Sequence, residues 1–353
     1  MAIGRSHEKS TLLFDCRNLT AVLRFNALLS GDLIEFSRLI VLAPENIAID
    51  DFDINNDCIK LVVIPMSQDD LSVLKYGPKN IENFLITKIG TIEGKVTLLT
   101  SFPRGVLFSI YSKFTQRSSQ KVDFILIDDG YSNVRPENYK AKIGILDFLK
   151  RCYVFFMVGL EGWQNHGFFN LSKVSKVFTV YPEVISQFTS TEVMNVSLVF
   201  GAYLKSQKSN YNIASGSTLF LGHHAVESGR LTKREYHSLV SKSVSGIVGN
   251  ESIFLSMHHS ESMENKAFYG LQGMHREYSS LPAELLIAGG MVTRIIAPFN
   301  STLLECDRSG SLGSVSQYVG YIIPGSPMLD DRIKDTQAVC ERWGIQLTVV
   351  AAE

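Results

Sequence analysis

The segment VDFILIDDG, residues 122–130, is the stretch that decides the fold class of this chain. A short, mostly apolar run ends there in two carboxylates, Asp128 and Asp129, and a glycine. Runs of this kind are typical of strands that are buried on both faces, as the strands of parallel sheets are. Similar runs recur along the chain, separated by helix-length segments, at residues 11–15, 38–44, 59–65, 95–101, 153–159, 176–182, 217–222, 252–259 and 318–324. This alternation predicts an α/β protein whose parallel sheets carry helices on both faces.

One polar segment interrupts the alternation and predicts two domains. Residues 204–217, LKSQKSNYNIASGS, are rich in Ser, Asn and Gly, which is typical of a linker. We therefore expect doubly wound, Rossmann-like domains over 1–205 and 206–353 that face each other across a central cleft. The terminal helix over 330–344 belongs to the second domain in sequence and could pack back on the first domain. Ligands of such sheets bind at the carboxyl ends of the strands, so the candidate site residues are those that follow strands.

The composition excludes several classes of protein. The 34 basic and 35 acidic residues give a net charge of −1, without the basic excess of proteins that bind nucleic acid. A hydrophobic fraction of 45% and a charged fraction of 20% exclude a disordered chain. No apolar run reaches the about 18 residues of a membrane-spanning helix, and the segment MAIGRSHEKS has no signal-peptide core. We expect a cytoplasmic protein, with peripheral attachment to the inner face of the membrane left open.

The two carboxylates at the end of the 122–130 run predict a general base. A carboxylate at the carboxyl end of a strand lies where ligands bind, and it can accept a proton from a hydroxyl group there. Neighbouring residues on a strand point to opposite faces, so only one of Asp128 and Asp129 is expected to meet a substrate. The other would brace the loop. The alternative is an ordinary turn with two solvated carboxylates.

Histidines follow two of the predicted strands in the second half. His258 and His259 follow the run SIFLSM, whereas His223 and His224 follow STLFL and Gly222. A histidine in such a position can donate a hydrogen bond to a phosphate or act as a general acid. A metal site is the weaker interpretation, because neighbouring side chains on a strand diverge and no second ligand cluster has suitable spacing. Surface histidines without a role are the alternative.

Two helix starts complete the set of candidates. Ser301 and Thr302 lie between a predicted strand and a helix, where hydroxyls and free N–H groups either cap the helix or hold a phosphate. Pro282 and Glu284 open the helix in LPAELLIAGG. The Glu284 carboxylate either complements the helix dipole or accepts hydrogen bonds from ribose hydroxyls. Weaker candidates, which are more often surface or core residues, are Arg17, Asn18, Arg104 and Trp163.

The order of these motifs resembles that of the bacterial sialyltransferases: Asp-Asp-Gly after an early strand, a histidine motif after a later one, then a Ser/Thr pair. The segments FLGHHAVESGRLTKREY, SIFLSMHHSE, SSLPAELLIAGG and IIAPFNSTLLEC look most like the polysialyltransferase group and its lipooligosaccharide sialyltransferase relatives. The resemblance covers mainly residues 217–306 and 122–131. It implies a GT-B fold and a CMP-sialic acid donor held mainly by the second domain.

The same resemblance implies the reaction. Sialic acid would pass from CMP-sialic acid to a hydroxyl of a glycan acceptor with inversion, without a metal or other cofactor. The acceptor would belong to a polysialic acid capsule or a lipooligosaccharide. A peripheral place on the membrane or in a capsule-assembly complex is left open.

Carried over residue by residue, the resemblance assigns the general base to Asp128 or Asp129 and places His258 against the CMP phosphate. It assigns the hydroxyls of Ser301 and Thr302 to the same phosphate. The other residues expected on the nucleotide side are Gly222, His223, His259, Pro282 and Glu284.

The histidine motif departs from the family pattern at one position. His259 stands where the family has proline, which leaves the loop backbone freer and adds a titratable group. The departure keeps two alternatives open. One is a GT-B transferase that uses another nucleotide sugar, and the other is a non-catalytic nucleotide- or glycan-binding protein of envelope assembly.

Overall fold

The chain divides into two compact units, Met1–Val199 and Phe200–Glu353. The computed structural model of the protein describes residues 10–44, 47–54, 60–65, 78–90, 92, 94–101, 105–118, 122–128, 145, 148–149, 152, 156, 171, 174–207, 215–245, 252–258, 260–299, 302–326 and 329–351.

The first unit is built on a seven-stranded sheet in which every pairing is parallel. Its strands are β1 (Ser10–Asp15), β2 (Arg38–Ala43), β3 (Lys60–Pro65), β4 (Lys95–Thr100), β5 (Val122–Ile127), β6 (Lys176–Thr179) and β7 (Glu192–Asn195). The order across the sheet is β3-β2-β1-β4-β5-β6-β7, so the direction of winding reverses between β1 and β4. The helices are α1 (Leu19–Ser30), α2 (Pro78–Ile89), α3 (Gly105–Ser118) and the single turn α4 (Pro182–Ile185).

The central strands of this sheet are buried on both faces. Leu13 of β1 packs in one cluster with Phe108 and Tyr111 of α3. The next residue, Phe14, stacks on Phe25 of α1 with the ring centroids 5.0 Å apart. Because successive residues point to opposite faces, the strand needs apolar side chains throughout, and the sequence is a continuous apolar run.

The second unit is built on a five-stranded sheet that is also parallel throughout. Its strands are β8 (Ser217–Leu221), β9 (Ile253–Ser256), β10 (Val292–Pro298), β11 (Gln317–Tyr321) and β12 (Gln346–Val350). The order is β12-β11-β10-β8-β9, so the winding reverses between β8 and β10. Helix α5 (Ser197–Ser206) crosses the boundary between the units, and it is followed by α6 (Lys233–Val244), α7 (Met263–Leu271), α8 (Ala283–Ala288), α9 (Thr302–Arg308) and α10 (Leu329–Trp343). Among the helices of the described ranges, none is long and apolar enough to cross a membrane.

Helices cover both faces of the second sheet as well. On one face Leu219 of β8 belongs to a cluster with Leu286 of α8 and Val339 of α10. On the other face Phe220 packs with Tyr236 of α6. The terminal helix α10 therefore contributes to the core of its own unit.

A capping box starts helix α6. The Thr232 hydroxyl accepts a hydrogen bond from the Glu235 N–H at 3.3 Å, and the Glu235 carboxylate accepts one from the Thr232 N–H at 2.7 Å. This reciprocal pair satisfies two N–H groups that have no partner within the helix. It thereby fixes the start of the helix that carries Tyr236 into the core.

The predicted doubly wound parallel architecture is confirmed. Within the strand predicted over 153–159 the structure describes Phe156 alone, which is helical, and the rest of that run lies outside the described residues. An apolar run of that length does not distinguish a buried strand from a helix. Conversely, β7 carries no long apolar run, because its residues are half-exposed or exposed at the sheet edge.

The division between the units differs in position from the predicted linker. It falls between Val199 and Phe200, inside α5, whereas the linker is predicted over 204–217. The first residues of that segment complete α5, which ends at Ser206. Residues 208–214 lie outside the described part of the chain.

Candidate functional site

The loops that follow β8 and β9 form the candidate site of the second unit. These strands are neighbours in register, with Leu221 opposite Ser256, so their following residues leave the sheet side by side. The Gly222 N–H continues the ladder by donating to the Ser256 carbonyl at 2.9 Å. The first loop begins at Gly222 and bears two histidines; the second runs from Met257 to Glu261. Both lie at the carboxyl edge of the sheet, where parallel α/β folds bind ligands.

Three imidazole rings stack where these two loops meet. The ring centroids of His223 and His224 are 4.6 Å apart, and those of His224 and His258 are 4.2 Å apart. The His223 and His258 centroids are 6.1 Å apart. All three side chains are partly buried. The structure thus brings His223 and His258, predicted from separate motifs, into one cluster, with His224 between them.

His258 is held in one tautomer by its own loop. The Ser260 N–H donates to the His258 Nδ1 at 3.2 Å, so this nitrogen acts as an acceptor. In the neutral imidazole the proton therefore resides on Nε2, which is left as the donor. A histidine in this state can donate a hydrogen bond to an anionic oxygen.

His223 remains neutral at any ordinary pH. Burial lowers its pKa to about 3, and the neighbouring His224 and His258, followed by the positive charges of Arg230 and Arg332, add to that effect. Its backbone N–H donates to the Tyr236 hydroxyl at 2.9 Å. Within the described ranges its buried Nδ1 has no hydrogen-bond partner. His223 can therefore supply a hydrogen bond to a ligand, but not a charge.

Glu261 is a site residue that the sequence prediction missed. Its Oε2 accepts the His258 N–H at 2.8 Å, and its Oε1 accepts hydrogen bonds from the hydroxyls of Tyr269 and, at 3.5 Å, Tyr236. Burial raises its pKa to about 7, although the hydrogen bonds from Tyr269 and the His258 N–H work in the opposite direction. The one feature of the sequence that points to Glu261 is its position three residues after His258, and a surface glutamate without a role could equally well stand there.

Gly222, predicted as a nucleotide contact, has a structural reason to be glycine. A Cβ atom at this position would lie 2.1 Å from the Oε2 of Glu261, far closer than any real contact. The absence of a side chain lets the carboxylate pack directly on the backbone that follows β8. A direct contact between Gly222 and a nucleotide remains a prediction.

Two arginines near His223 were also missed. Arg332 of α10 donates to the Phe299 carbonyl, just after β10, at 3.4 Å, and Arg230 donates to the Ser326 hydroxyl at 3.5 Å. Both are close enough to His223 to influence its pKa. No motif pointed to them, because Arg332 lies 33 positions after Phe299 in an amphipathic helix. These cations give the loop cluster a positive edge suited to an anionic group.

The loop before α8 is attached to the end of β9. The Ser256 hydroxyl donates to the Leu281 carbonyl at 2.8 Å, and the Met257 N–H donates to the Ser279 carbonyl at 2.8 Å. Pro282 occupies the N-cap position of α8 without a side-chain capping bond. Glu284 is buried in the first turn of this helix, which carries no other acidic residue there.

The Ser/Thr motif lies on the other neighbour of β8. Thr302 is the first residue of α9, directly after β10, and is partly buried. Since β10 pairs with β8, the motif follows the strand on the opposite side of β8 from His258. Ser301 and His259 lie outside the described residues.

Asp128 braces the first unit, which is the role expected of one residue of the Asp128–Asp129 pair. It is 2% exposed and forms an ion pair with the buried Arg24 of α1, with Nε and Oδ1 3.1 Å apart. Its Oδ2 accepts the Val180 N–H at 2.7 Å. Protonation would leave the Arg24 charge buried without its counter-ion. Asp129, the other candidate for the base, lies outside the described residues.

The weaker candidates of the first unit have structural roles where they are described. Arg17 pairs with Asp15 at 2.9 Å, and the Thr100 hydroxyl donates to the same carboxylate at 2.9 Å, which ties β1 to β4 where the winding reverses. Asn18 caps α1 by accepting the Ala21 N–H at 2.8 Å. Arg104 and Trp163 lie outside the described residues.

No group of three or more His, Cys, Asp or Glu side chains in the described part of the chain is arranged to hold a metal ion. The three stacked imidazoles approach each other with their ring faces, at centroid distances of 4.2 to 6.1 Å. Metal coordination needs ring nitrogens that converge on one point.

Comparison with known proteins identifies the fold. No protein-family model and no curated protein matches the sequence. The structure is similar to that of an α/β-galactoside α-2,3-sialyltransferase from the luminous marine bacterium Photobacterium phosphoreum, with a TM-score of 0.54 and 10% identity over 96% of this chain and 98% of that chain. UDP-GlcNAc 2-epimerase from Methanocaldococcus jannaschii matches with a TM-score of 0.44 and 9% identity, over 97% and 89% of the two chains. The calicheamicin glycosyltransferase CalG4 matches with a TM-score of 0.45 and 10% identity, over 97% and 86%.

At these identities the likeness establishes the fold alone. The fold is GT-B, with two parallel-sheet α/β domains of seven and five strands, and the predicted fold class is confirmed. The fold by itself does not select a donor.

Proposed function

We propose that this protein is an inverting, metal-independent glycosyltransferase that moves sialic acid from CMP-sialic acid to a hydroxyl of a glycan acceptor. The observation that carries the proposal is the geometry of His258. Its loop fixes Nε2 as the donor at the carboxyl end of a strand, beside two further imidazoles, and one of these, His223, lies near two arginines. The fold shared with a bacterial sialyltransferase and the motif order described above support the same function.

The proposed reaction needs a donor for the departing phosphate. As the bond between the anomeric carbon and the phosphate oxygen breaks, its electron pair passes to that oxygen, and CMP leaves. The Nε2–H of His258 donates a hydrogen bond to this oxygen and stabilises the charge that develops there. Arg230 and Arg332 contribute positive potential at the same edge of the sheet. Together they supply the stabilisation that a cation supplies in other transferases.

The acceptor hydroxyl needs a base, and we assign this role to Asp129. The oxygen of the acceptor forms the new bond to the anomeric carbon, and its proton passes to the carboxylate. Asp128 is held by Arg24 and the Val180 N–H, so we assign the base to the other residue of the pair. This choice follows the expectation that one residue braces the loop while the other faces the substrate.

The nucleotide contacts are assigned on the same basis. Thr302 and Ser301 follow β10 and would hold the phosphate through hydroxyl and N–H groups. Pro282 and Glu284 follow the loop attached to the end of β9 and would lie at the ribose. The acceptor glycan, whether capsular or lipooligosaccharide, and any peripheral membrane complex remain predictions from the motif resemblance.

The direct test is a donor-consumption assay with purified protein. We expect release of CMP from CMP-sialic acid in the presence of sialylated or galactose-terminated oligosaccharides, unaffected by EDTA, and no turnover of UDP- or GDP-sugars. His258→Ala should abolish turnover, whereas His275→Ala, a change at an exposed histidine outside the two loops, should not. Turnover of a UDP- or GDP-sugar instead would assign another donor. CMP binding without any turnover would indicate a non-catalytic binding protein.

A further inference from the structure

We propose that Glu261 is the positioning residue of this site: it joins the two histidine-bearing loops and thereby holds the imidazoles of His258 and His223 in place. The inference rests on the proposed function for its link to catalysis, but the contacts that carry it do not depend on the identity of the donor. Neither the motif pattern nor the fold assigns a role to this carboxylate.

The first part of the inference concerns how the loops are connected. Glu261 Oε2 accepts the backbone N–H of His258 at 2.8 Å, within its own loop. Glu261 Oε1 is bound by the Tyr236 hydroxyl at 3.5 Å, and this hydroxyl also accepts the backbone N–H of His223 at 2.9 Å. One carboxylate thereby connects the backbone of one loop directly, and that of the other through a single tyrosine. A shift of the carboxylate would release both histidines.

The second part concerns the space that the fold reserves for this carboxylate. A Cβ at Gly222 would come within 2.1 Å of Oε2 and 2.8 Å of Cδ of Glu261. The backbone of Gly222 does not have a positive φ, so its conformation alone does not require glycine. The requirement comes from the close approach of Glu261. Gly222 after β8 and Glu261 after β9 therefore depend on each other, because the carboxylate occupies the space that a side chain at position 222 would fill.

The third part concerns restraint of the histidine loop. The segment MHHSE contains no proline, the residue that would restrict its backbone covalently. Glu261 restrains it instead, by binding the His258 N–H, while the Ser260 N–H binds the His258 ring. The two hydrogen bonds fix both the start of the loop and the tautomer of its imidazole.

The fourth part concerns charge. The backbone N–H groups of His258 and His223, the phenols of Tyr236 from α6, Tyr269 from α7 and Tyr321 from β11, and the carboxylate of Glu227 act on Glu261. No lysine or arginine in the described part of the chain forms an ion pair with it. The carboxylate therefore binds the two loops through neutral donors, and these hydrogen bonds strengthen when it is ionised.

The test is an NMR titration of the histidine side chains in the full-length protein without ligand. Glu261→Gln keeps one acceptor oxygen and removes the other, so it cannot bind the His258 N–H and the tyrosine hydroxyls at once; we expect the ring titration of His258 to shift and the ring signals of His223 to move. Gly222→Ala keeps the charge and displaces the carboxylate; we expect the ring signals of both His258 and His223 to shift. The matched controls are Glu264→Gln, at an exposed carboxylate paired with Lys233, and Gly313→Ala, where a Cβ meets open space.

Unchanged histidine titrations in Glu261→Gln and Gly222→Ala would overturn the inference. If Glu261→Gln does not fold, Tyr269→Phe removes one donor to Oε1 and keeps the carboxylate, and it should shift the His258 titration by a smaller amount. In turnover assays Glu261→Gln should lower kcat at least 10-fold, move its pH profile and leave KM for the donor within twofold. Lack of activity towards CMP-sialic acid would overturn the proposed function, whereas the ligand-free titrations test the role of Glu261 independently of any donor.

Discussion

Two buried carboxylates lie just behind strand ends, one in each unit, and their surroundings differ. Asp128 follows β5 and forms an ion pair with Arg24, and both side chains are almost fully buried. Glu261 follows β9 and is held by the hydroxyls of Tyr269 and Tyr236 and by the His258 N–H. One carboxylate is compensated by a full positive charge, and the other by neutral donors.

The difference decides what each carboxylate contributes. In a buried ion pair, removal of either charge strands the other in a medium of low polarity. A buried carboxylate with only neutral donors leaves no opposite charge behind when it is protonated, and burial raises the pKa of Glu261 to about 7. Asp128 thus stabilises the fold, whereas Glu261 holds the histidine loops and titrates near neutral pH.

The largest effect should come from His258→Ala. Loss of this hydrogen-bond donor to the departing phosphate should lower kcat for sialyl transfer by about 10²–10³-fold, the usual contribution of one such donor. Thermal unfolding should stay within a few degrees of the wild type, because the ring is only partly buried. Initial rates with CMP-sialic acid measure the effect, and full activity in this variant would remove His258 from the mechanism.

The next largest effect should be structural, at the ion pair of the first unit. Asp128→Asn leaves Arg24 buried without its counter-ion and should lower the free energy of unfolding by about 3–5 kcal/mol. Urea denaturation measures this loss. The double variant Arg24→Met, Asp128→Leu should recover most of it, since neither charge then remains. Wild-type stability combined with lost transfer in Asp128→Asn would identify Asp128 as the base after all.

Two smaller effects of opposite sign should appear in the pH dependence of stability, one from Glu261 and one from His223. The pKa of Glu261 is about 7 in the folded protein and 4.5 in the reference state, so the folded state holds the extra proton between these values. Stability from this group therefore falls as pH rises from 4.5 to 7, by about 1 kcal/mol per unit. The pKa of His223 is about 3 instead of 6.5, so the unfolded state holds the extra proton, and stability falls as pH decreases from 6.5.

Two variants separate these contributions. Relative to the wild type, Glu261→Gln should gain stability as pH rises from 4.5 to 7, whereas His223→Asn should gain stability as pH falls from 6.5 to 3. Urea denaturation at half-unit pH steps gives both slopes. Parallel curves for the two variants would show that these groups do not titrate as their burial implies.

The smallest effect should come from the capping box of α6. Thr232→Ala removes the hydroxyl that accepts the Glu235 N–H and should cost about 1 kcal/mol of stability. The change is exposed and leaves Tyr236 and Glu261 in place, so the histidine titrations should not move. An altered His258 titration in Thr232→Ala would mean that any loss of stability perturbs the site, and the Glu261 variants would lose their specificity.

The sequence contains enough information to predict the sheets. Strands such as β1 and β5 are buried on both faces, and a continuous apolar run is the direct consequence. The failures have physical causes as well. The apolar run 153–159 fits a buried strand and a buried helix segment equally well, so its pattern does not distinguish between them. Strand β7 lies at the sheet edge, and its half-exposed or exposed side chains do not form an apolar run that would predict a strand.

The candidate site was predictable only in part. Histidines after two strands could be placed at one sheet edge from the rule that parallel strands end together, and His223 and His258 do meet there. Glu261 and Arg332 could not be predicted, because their roles depend on contacts with Gly222 and Phe299, which are distant from them in the sequence. For the Asp128–Asp129 pair the alternation rule predicted that one residue braces the loop, but not which one.

Calorimetric titration with CMP tests the central claim most directly, with and without EDTA, on the wild type, His258→Ala and His275→Ala. We expect micromolar binding that EDTA does not change, at least tenfold weaker in His258→Ala and unchanged in His275→Ala. That result would connect the nucleotide with the histidine loops of the second unit. Absence of CMP binding at millimolar concentration, or equal affinity in wild type and His258→Ala, would contradict the assignment of this site to a CMP-sugar donor.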